Sequence, residues 1–501
     1  MRNNINLKIL IFLIASIFIA AAVLYSCSDN NNIKDNNENA VNGAASDISA
    51  VNDSENNTET DVSEATENLP EKDFEGYNFR MFLPQEAGED LYIEEQDGDI
   101  IDDAVYKRNG IIKDRFNINI TPVYYNGSWD KRMDGAKSIL AGDDAFDIMA
   151  LHGRVAFDYA NEGLLTNWLT EMPYVDLSAA WWNQDAINQC SFFGKLYCAT
   201  GDISYRGLNY TMCVLFNKNL FQNLGISYPY NDVVNGTWTY DKFISIVKSG
   251  AADLNGDGVI TPDADRYGFD MGNLYNYPTT VLYCGGDRVI TKNDNGEPVL
   301  TLYNERTIDI YNKLFDLIGS GSACVRGIKN WGNPDSTDIF MKGRALFVAG
   351  QMNRIIVYRA MTEEIGILPI PKYNELTPKY YALVEANGEM ITVPNTAKDL
   401  ERTSIITEAL CAEGSRTIIP AFYETALKTK FSRDDESAEM LDYIKNSAVY
   451  DYGYLNYTLT NPLSIPAESL LKTSNPNFTS FYDKSFDKVQ KNIDKLIKEN
   501  S

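Results

Sequence analysis

Histidine is almost missing from this chain: His152 is the single one in 501 residues. That excludes a zinc site built on several histidines and leaves a Ser-His-Asp triad only one place to stand. No two of the seven cysteines have CxxC spacing, so neither a redox dithiol motif nor a zinc ribbon is written here. Basic charge is short as well, with 44 Lys and Arg against 70 Asp and Glu and a net charge of −26. Such a balance argues against nucleic acid or an acidic membrane surface as partner. Aromatic residues are absent from 28–73, although the whole chain has 31 Tyr, 22 Phe and 6 Trp. Acids and asparagines fill that stretch, with Lys34 and Lys72 its only basic residues. With little apolar surface to bury and like charges repelling, it is expected to be an extended, disordered spacer.

Long apolar runs are equally scarce. The one at the start, Ile9 to Leu24, follows Arg2 and Lys8 and is shorter than the roughly 20 residues that span a bilayer. It closes in Leu24-Tyr25-Ser26-Cys27, a small residue before a cysteine, as in a bacterial lipoprotein signal. The expected organisation is a signal peptide over 1–26, an acylated Cys27, an acidic Asn-rich linker over 27–73 and a folded part over 74–501. That places the protein outside the cell membrane, held there by lipid alone. Cys190, Cys198, Cys213, Cys284, Cys324 and Cys411 read as small buried hydrophobes rather than a disulfide framework.

The folded part alternates strand and helix patterns. Tyr77 to Phe82 predicts a strand, Asp102 to Phe116 a helix, Ile118 to Val123 a strand, Arg132 to Leu140 a helix and Phe146 to Leu151 a short buried strand. Val214 to Phe216, Ala345 to Ala349 and Ile365 to Ile370 read as further strands. Lys218 to Leu224, Tyr240 to Ser249, Ile308 to Ile318 and Phe481 to Glu499 read as helices. The class is α/β with a largely parallel sheet. No internal repeat is present.

Four segments between about Asp147 and Pro371 carry a resemblance to the extracellular solute-binding proteins of ABC transporters, family 1, the sugar-binding type. They are Asp147 to Arg154 with Asn161 to Trp168; Gly194-Lys195-Leu196-Tyr197 through Leu215-Phe216-Asn217-Lys218 to Gly236-Thr237-Trp238-Thr239-Tyr240-Asp241; Tyr267-Gly268-Phe269 to Gly286; and Phe340 to Phe347 with Ile367 to Pro371. The resemblance implies a two-lobed, periplasmic-binding-protein-like fold of type II, with a ligand cleft between lobes joined by a hinge. Residues 74–200 with part of the C-terminal region would form one lobe and 210–440 most of the other. It implies a monomeric, non-catalytic receptor that closes on an oligosaccharide or related polar solute and hands it to a permease, without an organic cofactor.

Position in those segments nominates the ligand contacts. His152 and Arg154 follow the strand that ends at the cleft, and Tyr275 and Asn276 stand where the family places a stacking aromatic. Trp181 and Trp182 are adjacent, so one of them is expected outside the core. Tyr205 and Arg206 lie in a polar connection, Trp331 in a loop, and Gln351 after Gly350. The alternating Tyr450, Tyr452 and Tyr454 read as a buried strand, with a further aromatic platform for the ligand as the alternative. Separately, Asp253-Leu254-Asn255-Gly256-Asp257-Gly258-Val259 matches the start of an EF-hand-type calcium loop, with Asp253, Asn255, Asp257 and the Val259 carbonyl as donors. Ala264 stands at the twelfth position, so Asp263 or Asp265 would have to close the site, and a structural calcium is the expectation. Two other functions share the same bulk features: a secreted carbohydrate-active enzyme with paired carboxylates, and a surface ligand sensor.

Overall fold

The computed structural model of this chain describes residues 66–85, 88–126, 131–326, 339–358, 361–422 and 435–500, all within the compact unit Ala65–Ser501. Cys27, the signal segment and Trp331 lie outside the described residues. Two five-stranded sheets organise this unit. The first runs, in order, Ile118–Tyr125, Tyr77–Pro84, Ile148–Leu151, Met390–Thr392 and Cys198–Ala199. Its first three strands are parallel and Met390–Thr392 is antiparallel to both neighbours. The second runs Ile365–Pro369, Met212–Asn217, Ala345–Gln351, Tyr267–Asp270 and Ala323–Cys324, with Met212–Asn217 antiparallel to both its neighbours.

The helices form where caps and patterning agree. In Ile100–Phe116 the Asp99 side chain accepts from Ile101 N at 2.9 Å, acids stand in the first turn, and Asn117 ends the helix at φ 47°. Of its buried residues, Ile112 and Phe116 pack into the core that holds the first sheet. In the second lobe, Tyr240–Gly250 lies hard against Tyr267–Asp270. A Cβ at Gly268 would come within 1.9 Å of Val247 O, so only glycine allows that approach.

The chain passes from the first sheet to the second between Ala199 and Met212 and returns between Pro369 and Met390. Helix Leu400–Pro420 then packs on Ile100–Phe116, whereas Asp435–Ser447 packs on the strand Ile365–Pro369. The second lobe is therefore interrupted: Met390–Thr392 and Leu400–Pro420, inside the expected 210–440 stretch, belong with the first. A parallel pair, Ala382–Leu383 with Ala448–Val449, stands among these crossings. The C-terminal segment touches both halves, Tyr452–Leu455 and Tyr457–Thr460 packing on Gly153–Asn161, and Phe478–Asn500 on Glu305–Gly319.

Two expectations are corrected. Residues 66–73 are not free spacer: Glu67 pairs with Arg115 and Arg416, Lys72 meets Glu401 at 2.8 Å, and Leu69 packs on the core. Tyr450, Tyr452 and Tyr454 do not continue a strand; it stops at Val449 and Tyr452–Leu455 is a helical turn, with all three rings buried. The six described cysteines are buried free thiols. No helix among the described residues is long and apolar enough to cross a membrane.

Candidate functional site

The strand Ile148–Leu151 is wholly buried and ends at His152, whose Nδ1 accepts from Arg154 N at 3.2 Å and so caps the helix Gly153–Asn161. Burial pushes the His152 imidazole down to about 4, which keeps it neutral at physiological pH. Gly153 donates to Ala386 O at 2.7 Å, and a Cβ there would meet Leu455 at 2.7 Å. Glycine thus lets this helix start directly against the crossing segment that carries Glu385 and Asn387.

That segment is rigid. Glu385 N donates to Tyr210 O at 3.0 Å, Gly388 N turns back to Glu385 O at 2.8 Å, and Asn387 N and Nδ2 donate to Glu385 Oε2 at 2.9 and 2.5 Å. Tyr454 completes the set by donating to Glu385 Oε1 at 3.3 Å. From the second lobe comes Tyr275, in the loop after Tyr267–Asp270, 39% exposed and donating to Glu468 Oε1 at 3.2 Å. Glu468 also takes Lys472 Nζ at 2.6 Å. Tyr457 begins its own helical turn beside Arg154, whose guanidinium lies 4.7 Å from the Tyr454 ring and 4.9 Å from that of Tyr457.

His152, Arg154, Tyr275, Glu385, Asn387, Tyr457 and Glu468 together line a cavity of about 390 Å³. Both lobes, a crossing segment and the C-terminal region each contribute. Its wall combines aromatic faces with amide, carboxylate and guanidinium groups, the two surfaces a hydroxyl-rich ring compound presents partners for.

Three of the residues nominated from sequence meet here: His152, Arg154 and Tyr275. The others do different work. Asn276 is buried and donates to Ala349 O at 3.3 Å, which fixes the Tyr275 loop. Arg206 lies behind the cavity, its Nε donating to Asn387 O at 3.3 Å and standing 3.4 Å from Glu389 Oε2. Burial pushes Glu389 up to about 8, with Arg206 opposing. Tyr205 stacks on Phe422, ring centroids 4.9 Å apart. Gln351 is half-buried at the end of its strand and is not part of this wall.

Trp181 and Trp182 correct the expectation that one of them would stand outside the core. Both are buried, and their indole N–H groups donate to the two oxygens of one carboxylate, Glu408, at 2.9 and 2.8 Å. Trp182 N closes a turn on Ala179 O, and this turn removes the alternation that would have sent neighbouring side chains opposite ways. They border a separate cavity of about 260 Å³ with Asp202, Lys445 and Tyr450.

Glu385, Asn387, Tyr457 and Glu468 are missed by the sequence reading. They stand more than two hundred residues beyond His152, and the only local signal is the polar turn Glu385-Ala386-Asn387-Gly388 between apolar strands.

In the expected calcium loop the acids serve the loop's own backbone. Asp253 accepts from Gly256 N and Gly258 N, both at 2.7 Å, and Asp257 from Val259 N at 2.8 Å. Asp265 accepts from Leu254 N and Thr261 N at 2.8 Å, and those bonds hold its carboxyl below the usual range. Asp263 lies exposed. Among the described residues no group of three or more His, Cys, Asp or Glu is placed to hold a metal ion.

Neither a family model nor a curated protein matches the sequence. Solved structures do match in fold. One is the cyclic α-maltosyl-1,6-maltose binding protein from Arthrobacter globiformis, at TM-score 0.58 and 14% identity over 83% of this chain and 99% of that one. An ABC substrate-binding protein from Listeria monocytogenes in complex with cycloalternan matches at 0.52 and 14%, over 84% and 99%. UgpB from Mycobacterium tuberculosis in complex with glycerophosphocholine matches at 0.54 and 17%, over 84% and 99%. The chain therefore has the two-lobed α/β fold of these proteins.

Proposed function

We propose that this chain is a solute-binding protein of an ABC importer that takes an oligosaccharide or related polar solute into the cavity between its lobes. The observation that carries this reading is the convergence of His152, Arg154, Tyr275, Glu385, Asn387, Tyr457 and Glu468, drawn from both lobes, on one cavity. Groups from two lobes around a single space suit a receptor that closes on its ligand, and closure is what a permease would read. Two of the fold neighbours, one in complex with cycloalternan and one a cyclic α-maltosyl-1,6-maltose binding protein, support a saccharide, and the glycerophosphocholine of UgpB supports the wider class of polar solutes. The protein is proposed to act as a monomer, without catalysis, on the outer face of a bacterial membrane. The lipid on Cys27 would keep it at high effective concentration near its permease. The calcium proposal stays with Asp253, Asn255, Asp257 and the Val259 carbonyl, with Asp263 or Asp265 closing the site.

Calorimetric titration against a panel of neutral and acidic oligosaccharides tests the reading. Binding of at least one at micromolar strength or better, with no sugar released, is expected; binding of none removes the saccharide assignment. Release of shorter sugars from the panel would replace the receptor by an enzyme. Cys27→Ala should shift the protein from the cell surface to the medium.

A further inference from the structure

Arg154 has an unusual ledger for a cation at a cavity wall. Nε and Nη2 are shut off from water and have no hydrogen-bond partner. No carboxylate of the described residues lies within 4.0 Å of it; the ion pairs around the cavity join other groups, such as Lys472 to Glu468 at 2.6 Å. What holds the guanidinium is two aromatic faces, Tyr454 and Tyr457. Cation–π contact offsets part of the desolvation of a charge but supplies no acceptor for its N–H groups.

The cavity's own acids do not fill that role. Glu385 accepts from Tyr454 on one oxygen and from Asn387 on the other, and it forms no ion pair with Arg154 within 4.0 Å. Glu468 is engaged by Tyr275 and Lys472. His152 offers no acceptor either, since its Nδ1 already accepts from Arg154 N in the helix cap and its other ring nitrogen carries the hydrogen of the neutral form. The helix Gly153–Asn161 carries no acid in its first turn, so its positive end adds to the charge of Arg154 instead of being offset. In a chain with 70 acids, a cavity-wall cation without a carboxylate within 4.0 Å among the described residues is a local arrangement that composition does not impose.

We propose that the missing partner comes with the ligand: the cavity takes an acidic oligosaccharide, one bearing a uronic acid, whose carboxylate is received by Arg154 while its rings lie on Tyr457 and Tyr275. This rests on the oligosaccharide-binding reading above and narrows it. A carboxylate supplies both the acceptor oxygens and the opposite charge, whereas a neutral hydroxyl supplies only an acceptor.

The test compares, on the full chain, galacturonate, glucuronate and mannuronate oligomers, each beside the neutral twin made by reducing its carboxyl groups to primary alcohols. At least one acidic oligomer should bind about 10- to 100-fold tighter than its twin, the range a charge-assisted hydrogen bond covers. Rising salt should narrow the gap, and Arg154→Gln should close it to within about 3-fold while Arg154→Lys keeps part of it. Neutral twins that bind as tightly as the acids overturn this inference and leave the receptor reading standing. If neither set binds, both fall. The wild-type comparison decides the matter even if Arg154→Gln does not fold.

Discussion

The Trp181/Trp182 cluster and the cavity around Arg154 are built from the same materials, aromatic rings around a charged group, and they end in opposite states. At Glu408 two indoles meet one buried carboxylate and every N–H finds its oxygen, at 2.9 and 2.8 Å. At Arg154 two tyrosine rings meet one guanidinium and its Nε and Nη2 find nothing. Residue type is the same signal in both places; satisfaction of the polar group separates them. On the proposed reading, the charged group that the fold completes holds the fold, and the one left incomplete at the cavity wall is completed by the ligand.

The strongest way to break this contrast is at Glu408. Glu408→Ala orphans two buried indole donors, which should cost about 2–4 kcal/mol of stability. Urea unfolding would read that loss, and oligosaccharide affinity should stay within about 2-fold if the cluster is purely structural. A variant of normal stability and lost binding would reverse the assignment. Burial also pushes the Glu408 carboxyl up to about 7 from the ordinary 4.5. Between these values the folded protein keeps a proton that the unfolded chain has released, so this group makes stability fall as pH rises from about 4.5 to about 7 and level off above. Glu408→Gln should remove that slope.

Tyr457→Ala tests the other pole with a smaller effect. The ring is half-buried, so its loss should change unfolding less than the Glu408 substitution does. Removing an aromatic face from both Arg154 and the ligand should weaken oligosaccharide binding by about 5- to 15-fold. The two variants would then show mirror-image profiles, one in stability and one in affinity. Equal effects on both readouts would mean that the cavity wall and the core are not separable.

Much of the architecture was legible because strands and helices repeat at fixed periods. Ile118 to Val123 is found within Ile118–Tyr125, Tyr240 to Ser249 within Tyr240–Gly250, and Phe481 to Glu499 within Phe478–Asn500. The return of Met390–Thr392 to the first sheet was not, since a three-residue strand carries no period and its partners, Ile148–Leu151 and Cys198–Ala199, lie far back in the chain. The site divides the same way. His152 and Arg154 are readable because they follow a strand end, a local fact; Glu385 and Glu468 reach the cavity only through crossings that the sequence does not display. Trp181 and Trp182 misled because the reading assumed alternation where the chain turns.

The loop at Asp253 sets the two criteria against each other, and its expected effect is the smallest. The sequence pattern nominates a calcium site, yet the loop's acids already accept N–H bonds, from their own backbone where Glu408 accepts from two indoles. A carboxylate has about four acceptor positions, so one N–H per oxygen of Asp253 leaves lone pairs free on the side away from the backbone. Satisfaction by neutral donors also leaves the negative charge of Asp253 and Asp257 uncompensated, whereas burial pushes the Glu408 carboxyl up to about 7 and so leaves it partly protonated near neutral pH. Calcium at about five times its dissociation constant should therefore add about 1 kcal/mol, a rise of about 1–2 °C in melting temperature relative to chelator. Asp253→Ala should abolish that rise and leave oligosaccharide affinity unchanged. Identical midpoints with calcium and chelator would mean that hydrogen-bond satisfaction alone marks a group as structural, whatever charge it retains.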